Sequence, residues 1–479
     1  MNRAIVLLSV AFLWISGAVS LAAAEETPKI FRVDAGGQED SSSIQAVIDS
    51  APAGSIVRIG PGTFHGTILI RKPLTLEGAG ADRTFLSANW VSLRELILEG
   101  KGVPDKDKEA FDKLQKIAIE KEKGEGPVTM QLIQTYGPKP TLAVKETNEV
   151  VLRGMSISMP GEVQKGSWQN SPMTLLENAG TTIENCAFVG SAVEGVEIKG
   201  ASKVTMQKCL IAGIRASGII VKAASPSTVT ISDCDVRGCG YAGLQIEGTG
   251  AVTVTRCRIS KVDFHGIRYD NASPTITGNV FSDVNRAGIY LDGKTQGKIS
   301  ENLFFDCGAA GGTEDEIFNN TFVRKNGPSA AWHDFSAMGI SVTSKGKLHH
   351  NVISGYNHAL VLYSTGQKPL KFENLNFEEN LCQTVKSAII HSHRAEQKNR
   401  YEPRSEPEIV DVPLPEGNWQ RQVQFTDPEH DDFRLSSQVE RPDRNCGATK
   451  HASQKSPWPE QAAERAMLKQ IKEVESQNR

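Results

Sequence analysis

From Ile183 to Cys382 the chain repeats one six-residue phrase nine times: an apolar residue, two free positions, Cys or Asn, one free position, an apolar residue. Cys186, Cys209, Cys234 and Cys257 hold the fourth position first, then Asn279, Asn302, Asn320, Asn351 and Asn380. The steps between them are 23, 25, 23, 22, 23, 18, 31 and 29 residues. A second phrase alternates with the first: Gly195-Val196-Glu197-Ile198, then Gly218 to Val221, Gly243 to Ile246, Gly266 to Tyr269 and Gly288 to Leu291. Each such phrase predicts a short strand with period-two alternation, opened by a small residue at a turn. A fixed period near 23 residues, with two or three strands and no helix per period, predicts coils of a parallel β-solenoid that bury their apolar faces only against neighbouring coils. Equivalent residues of successive coils then stack about 4.8 Å apart. The Cys/Asn column becomes an axial ladder, in which buried Asn amides satisfy one another and Cys fills the same small slot.

These two phrases, over roughly Thr181 to Ser392, resemble the right-handed parallel β-helix of the pectin-lyase-like superfamily. The segment Ser43 to Thr84 is similar to the N-terminal cap of such proteins, with a short helix, a strand, the turn Gly60-Pro61-Gly62 and two further strands. The pair Asp427-Pro428-Glu429 and Asp432-Phe433-Arg434-Leu435 resembles a closing element at the C-terminal end of bacterial members. The expected fold is all-β, a right-handed parallel β-helix with an N-terminal cap, a helical insertion and a C-terminal helical tail. Along the chain this divides as 1–24 export signal, 25–91 cap and first coils, 92–127 insertion, 128–395 coils, 396–450 irregular closing segment and 451–479 tail. The insertion carries a helix over Lys108 to Glu122, with Phe111, Leu114, Ile117 and Ala118 on one face. Pro457 to Glu475 predicts the tail helix, capping the solenoid's open end or loosely attached.

Arg3, the apolar run Ala4 to Val19 and the small residues Ala22-Ala23-Ala24 have the form of a cleaved secretory signal, and no later segment is apolar enough to span a bilayer. The chain is expected in the periplasm, at the cell surface or outside the cell, as a monomer without a membrane span once the signal is removed. Eight cysteines in an exported chain invite disulfides. Four of them share one ladder position, however, and parallel Cβ vectors do not give the dihedral a disulfide needs. Free buried thiols are expected. A net charge of −3 with 23% charged residues argues against nucleic acid or an anionic membrane as partner.

Two outward columns on the Gly-initiated strands carry the candidate chemistry. One reads Glu197, Ile220, Gln245, Arg268 and Tyr290; the other reads Lys199, Lys222, Glu247, Asp270 and Asp292. The turns before the strands add Tyr241, His265 and Arg286. Carboxylates of Glu247, Asp270 and Asp292 at one coil spacing repel, and need a cation, a shared proton or neighbouring arginines. The resemblance implies a polysaccharide partner. In a lyase of this superfamily such a row holds Ca²⁺, which acidifies the C5 proton of a uronate, and Arg268 or His265 is the candidate base. In a glycosidase, two of the carboxylates are acid and base. Gln245, Tyr241, Arg286 and Tyr290 are candidate substrate contacts. A solvated salt-bridge lattice on a binding or scaffolding surface is the alternative. Weaker candidates are His349-His350, His358 and Trp332-His333-Asp334. The sequence lacks the polygalacturonase set and the pectinesterase Asp-Phe-Ile-Phe-Gly element, and has no clean pectate-lyase Trp-Ile-Asp-His segment, so the resemblance assigns no subfamily.

Overall fold

The structure is a computed structural model. It describes residues 28–34, 42–88, 93–100, 103–122, 126–137, 139–160, 172–191, 193–311, 314–325, 338–342, 346–365, 375–394, 408–430, 432–436 and 446–448. The expected export signal, the loop bearing Trp168, Trp332-His333-Asp334 and the expected tail helix fall outside these residues.

Each regular coil lays down three strands, as in Ala242–Glu247, Ala251–Thr255 and Arg258–Val262. The first two belong to a sheet of 24 strands, parallel but for one strand at its C-terminal end, and the third to a second, parallel sheet of 13. Successive coils pair in register, for example Leu244 with Ile267 and Ile267 with Ile289. The inward residues form one continuous core running from Val33 to Ile389. Inside it Phe281, Phe304 and Phe322 stack nearly flat, with ring centroids 4.8 and 4.4 Å apart.

The corner between the second and third strands explains the six-residue phrase. The residue before each Cys or Asn sits at left-handed φ: Asn185, Lys208, Asp233, Arg256, Glu301, Asn319, His350 and Glu379 lie between 50° and 56°. Such a conformation costs a non-glycine residue roughly 1–2 kcal/mol. It turns the next side chain into the core, where the ladder compensates. Asn302 Nδ2 donates to Asn320 Oδ1 (3.0 Å) and to the carbonyl of Ile276 (2.9 Å), and its backbone N–H reaches the same Oδ1. The pattern continues through Asn351 and Asn380 to Asn418. Asn418 is a further rung that the six-residue phrase does not reveal, because its apolar partner Leu414 stands one residue too early. Cys186, Cys209, Cys234 and Cys257 form the upper rungs. All eight cysteines are free and buried. Burial pushes the thiols of Cys186, Cys239 and Cys382 up to about 12.

The glycine opening each second phrase has a different cause from the expected turn. A Cβ on Gly266 would come within 2.5 Å of the Gly288 carbonyl and 2.8 Å of Phe281, so close approach between coils demands glycine.

Two boundaries differ from expectation. Coils do not resume at Val128: the insertion continues through a helix at Pro127–Tyr136, and strand structure returns at Leu142–Arg153. Helices Leu93–Glu99, Lys108–Glu120 and Pro127–Tyr136 share a small core of their own around Leu96, Phe111, Ala118 and Leu132, and that core holds the third helix. The closing segment is also more regular than its Pro-rich composition suggests. Glu408–Val412 pairs antiparallel with Ile389–Arg394, Trp419–Gln420 joins the 13-stranded sheet, and Phe425–Asp427 pairs with Asp432–Leu435.

The ladder makes one test direct. Asn320→Ala leaves Asn302 Nδ2 and the Asn302 N–H without their acceptor in a dry core. It is expected to destabilise the fold by about 2–4 kcal/mol. Asn320→Ser, which restores an oxygen, is expected to lose less. Denaturant unfolding of the three chains measures both, and equal stability of Asn320→Ala and the parent would discard the ladder as a stabilising element.

Candidate functional site

Strand register places the candidate side chains. Glu197, Ile220, Gln245, Arg268 and Tyr290 stand in one column, which continues through Ala310 to Ser341. Lys199, Lys222, Glu247, Asp270 and Asp292 stand in the next. Both columns follow the expected order, with Ala310 as an unforeseen member on the strand Gly308–Gly311, which opens on glycine but lacks the large apolar residues of the phrase.

His265 is displaced from its expected place. It opens the strand His265–Asp270 and pairs with Ala242 and Ala287, not with Tyr241 and Arg286. The turn position belongs to Phe264. Its ring stacks on Tyr241 at 5.2 Å, and the Arg286 guanidinium lies 3.7 Å over its other side. Phe264 was not singled out in the sequence, because it precedes the Gly-initiated phrase by two residues and looks like a core phenylalanine.

His265 itself is nearly inaccessible, at 3% exposure. Tyr290 stacks on the imidazole at 4.4 Å, and Phe264 meets it edge-on at 4.8 Å. Its Nδ1 has no hydrogen-bond partner. Burial, then the charges of Arg286 and Arg268, lower its pKa to about 4, so the ring is neutral at neutral pH. Arg268 donates to the Tyr241 hydroxyl and to Asp292 Oδ2 (3.2 Å). Burial opposes its charge, but Tyr241 and Asp292 outweigh that and hold its pKa above the ordinary value. Burial and the Asp292 charge raise the Tyr290 phenol, which keeps its proton.

The second column shows what an ordinary surface lattice looks like, and where it stops. Toward the N-terminal coils Glu177 bridges Lys145 (2.9 Å) and Lys199 (3.0 Å), and Lys222 binds Glu197 at 3.2 Å. Each of these carboxylates is held by lysine. From Glu247 onward the column is acidic on three successive coils. Gln245 donates to Glu247, Asn271 donates to Asp270 at 2.7 Å, and Arg268 takes Asp292. Each carboxylate thus has its own local partner. Among the described residues, no three His, Cys, Asp or Glu side chains are grouped to hold a metal ion. Strands in register set Glu247, Asp270 and Asp292, the row expected to hold Ca²⁺, in line on three coils, with each carboxylate on its own partner.

Glu194 is a site residue that the sequence did not reveal. It lies at the start of the strand Glu194–Gly200, above Ser217 and two coils above Ala242. Its Oε2 is buried without a partner. Burial and the neighbouring Glu197 charge raise its pKa to about 7. Position alone hid it, since it precedes the glycine that marks the phrase.

The weaker candidates stand apart from this face. His349 ends the strand Gly346–His349 and faces Glu316 at 3.5 Å; His350, at the left-handed corner, meets Glu379 at 2.6 Å. His358 is buried, with Nδ1 2.8 Å from the Ser387 carbonyl. No helix among the described residues is long and apolar enough to cross a membrane.

Comparison with known proteins agrees with the coil architecture. The family model for the right handed beta helix region matches residues 142–259, 173–322 and 228–396. These matches cover more than half of the chain, which belongs to this family. No curated protein matches it. Among solved structures it is similar to pectate lyase Pel9A, at 12% identity over 74% of this chain and 80% of that one, with TM-score 0.40. The A-module of the Azotobacter vinelandii mannuronan C-5 epimerase AlgE4 is 11% identical over 81% and 97%, with TM-score 0.45. The PL6 family alginate lyase AlyGC is 10% identical over 90% and 58%, with TM-score 0.43. No residue role is transferred from any of them.

The Glu194 shift has a definite sign. Its folded pKa lies above the ordinary glutamate value of 4.5. The native state therefore holds the proton that the unfolded chain releases, and stability falls as pH rises through that interval up to about 7. Glu194→Gln is expected to gain stability relative to the parent over that window and to run parallel above it. Thermal unfolding of both chains across the pH range measures this, and parallel curves throughout would mean that the carboxyl is not perturbed.

Proposed function

We propose that this face binds an anionic, uronate-containing polysaccharide and cleaves it by β-elimination, as an exported, monomeric chain. The observation that carries the reading is the cluster of Arg268 and Arg286 around Tyr241, Phe264, Tyr290 and a neutral imidazole. Aromatic faces suit the apolar faces of sugar rings, and guanidinium forks suit carboxylates. A solenoid face offers many coils in line, which fits an extended chain better than a compact ligand.

In this reading Arg268 and Arg286 receive substrate carboxylates. Neutralising a uronate in this way acidifies its C5 proton. It also cancels two of the charges that hold His265 neutral, so substrate makes the imidazole a stronger base. His265 then takes the C5 proton through its unpartnered Nδ1 once sugar displaces the Tyr290 ring. The electron pair from that C–H bond forms the C4–C5 double bond as the C4–O bond breaks. Tyr290, which keeps its phenolic proton, moves aside with the entering sugar and in this reading gives that proton to the leaving oxygen. Gln245 and Tyr241 orient the bound residue. Calcium has no part in this scheme.

A second reading rests on the low exposure of His265: the face binds the same glycans without cleaving them.

Absorbance near 235 nm, followed with uronate polysaccharides, registers the unsaturated product. Activity is expected with and without chelator. His265→Gln is expected to lower kcat by about 10²-fold or more, and Arg268→Ala to raise KM as well. Retained glycan affinity with no absorbance change would favour the binding reading. Neither binding nor turnover on any uronate polymer would end both.

A further inference from the structure

Several coils beyond the site, two adjacent histidines meet each other at a coil corner. The Nδ1 atoms of His349 and His350 stand 2.9 Å apart. Their rings are nearly perpendicular, and the centroids lie 5.2 Å apart, little more than that contact plus a ring radius on each side. The two nitrogens therefore point straight at one another. Imidazole nitrogens in such contact need one donor and one acceptor, so a single proton lies between them. A metal ion held in line between two imidazoles would need a gap of about 4 Å.

Both rings are held from behind by carboxylates. His350 Nε2 pairs with Glu379 Oε2 at 2.6 Å, and His349 Nε2 faces Glu316 Oε1 at 3.5 Å. Phe318 of the preceding coil stacks on the His349 ring at 5.1 Å. Register sets Glu378 of the following coil beside His349, and sets Lys347, on the histidines' own strand, beside Glu316. Carboxylates thus lie on both sides of the pair and can accept a charge on each ring. The contact between the rings cannot. With one proton between the Nδ1 atoms it is attractive. A second proton makes both nitrogens donors and both rings cations, and the contact turns repulsive. Imidazoles gain such protons in the range between about pH 8 and pH 5.

The same corner holds the returning C-terminal segment. The His350 carbonyl accepts from the Gly447 N–H at 2.7 Å, and the Glu379 carbonyl accepts from Cys446 Sγ at 3.1 Å. The two residues whose side chains form the ion pair therefore carry the return on their backbones. The ladder beneath them, Asn320 to Asn351 to Asn380, is made of amides and does not titrate.

We propose that His349 and His350 form a one-proton lock on this corner. The shared proton holds the corner at neutral pH. Uptake of a second drives the rings apart and loosens residues 446–448, while the coils below stay wound on their amide ladder.

Cys446 gives the readout, because it is buried under the return, whereas Cys382 is buried inside the coils. Labelling of each thiol is located by peptide mass and referred to the rate of the same peptide in denaturant, which removes the pH dependence of the thiol itself. Between pH 8 and pH 5 the protection of Cys446 is expected to fall roughly tenfold or more, and that of Cys382 to hold. His349→Phe keeps an aromatic ring against Phe318 and removes the nitrogen; His350→Asn puts a residue tolerant of the left-handed corner in place of the other ring. In each variant the protection of Cys446 is expected to be independent of pH over this range. Protection that does not change with pH in the parent would overturn the proposal. So would the same change in both variants, or an equal loss at Cys382, which would mean general unfolding.

Discussion

The coil corner is the constraint on which the rest of the molecule depends. At each turn into the 13-stranded sheet a residue takes a left-handed conformation, and the next side chain enters a column shared by every coil. The local conformation is unfavourable for Lys208, Asp233, Arg256 or Glu301, and is offset because the following Cys or Asn is hydrogen-bonded to a neighbouring coil. The corner thereby sets the register of both sheets. Register in turn decides which side chains meet on the outer faces. The site is thus a consequence of stacking: Arg268 reaches Asp292, and Tyr290 covers His265, because consecutive coils differ by 22 residues with no slip between the strands.

Much of this was legible in the sequence because the repeat is a physical period. The ladder, the two outward columns and the acidic run from Glu247 to Asp292 follow from counting, since each coil must present equivalent residues at equivalent places. What counting missed lies at the edges of the phrases. Phe264 and Glu194 precede the glycine that marks the strand, and their surroundings are set by residues one coil away. His265 shifted from the turn into the strand because its coil places Phe264, not His265, in line with Tyr241 and Arg286. Asn418 and the strand Glu408–Val412 sit among prolines that masked the period. The helix Pro127–Tyr136 looked like returning coil because its apolar residues pack on two other helices.

The charge pattern along the outer face carries its own lesson. Lys145 and Lys199 hold Glu177 between them in an ordinary surface lattice. A few coils on, with the same backbone and spacing, Arg268 and Arg286 gather around aromatic rings while carboxylates collect in the neighbouring column. The two stretches differ in nothing the fold requires. What distinguishes a site from a surface here is the run of three carboxylates beside gathered arginines and aromatic rings, together with groups such as Glu194 and His265 whose protonation departs from the ordinary.

The buried thiols give the chain a history as well as a structure. Once coiled, every cysteine is shut away, and burial pushes thiols such as those of Cys186, Cys239 and Cys382 up, so oxidants and disulfides find little to attack. Before coiling, all eight are open, and four are spaced one coil apart along the chain. In an oxidising compartment the nascent polypeptide therefore faces a race between winding and cross-linking. Because each coil needs only a neighbouring one as a template, winding can start anywhere and spread coil by coil, and each coil it adds takes thiols out of reach. A solenoid that seals its own reactive groups as it grows protects itself by the sequence of its assembly.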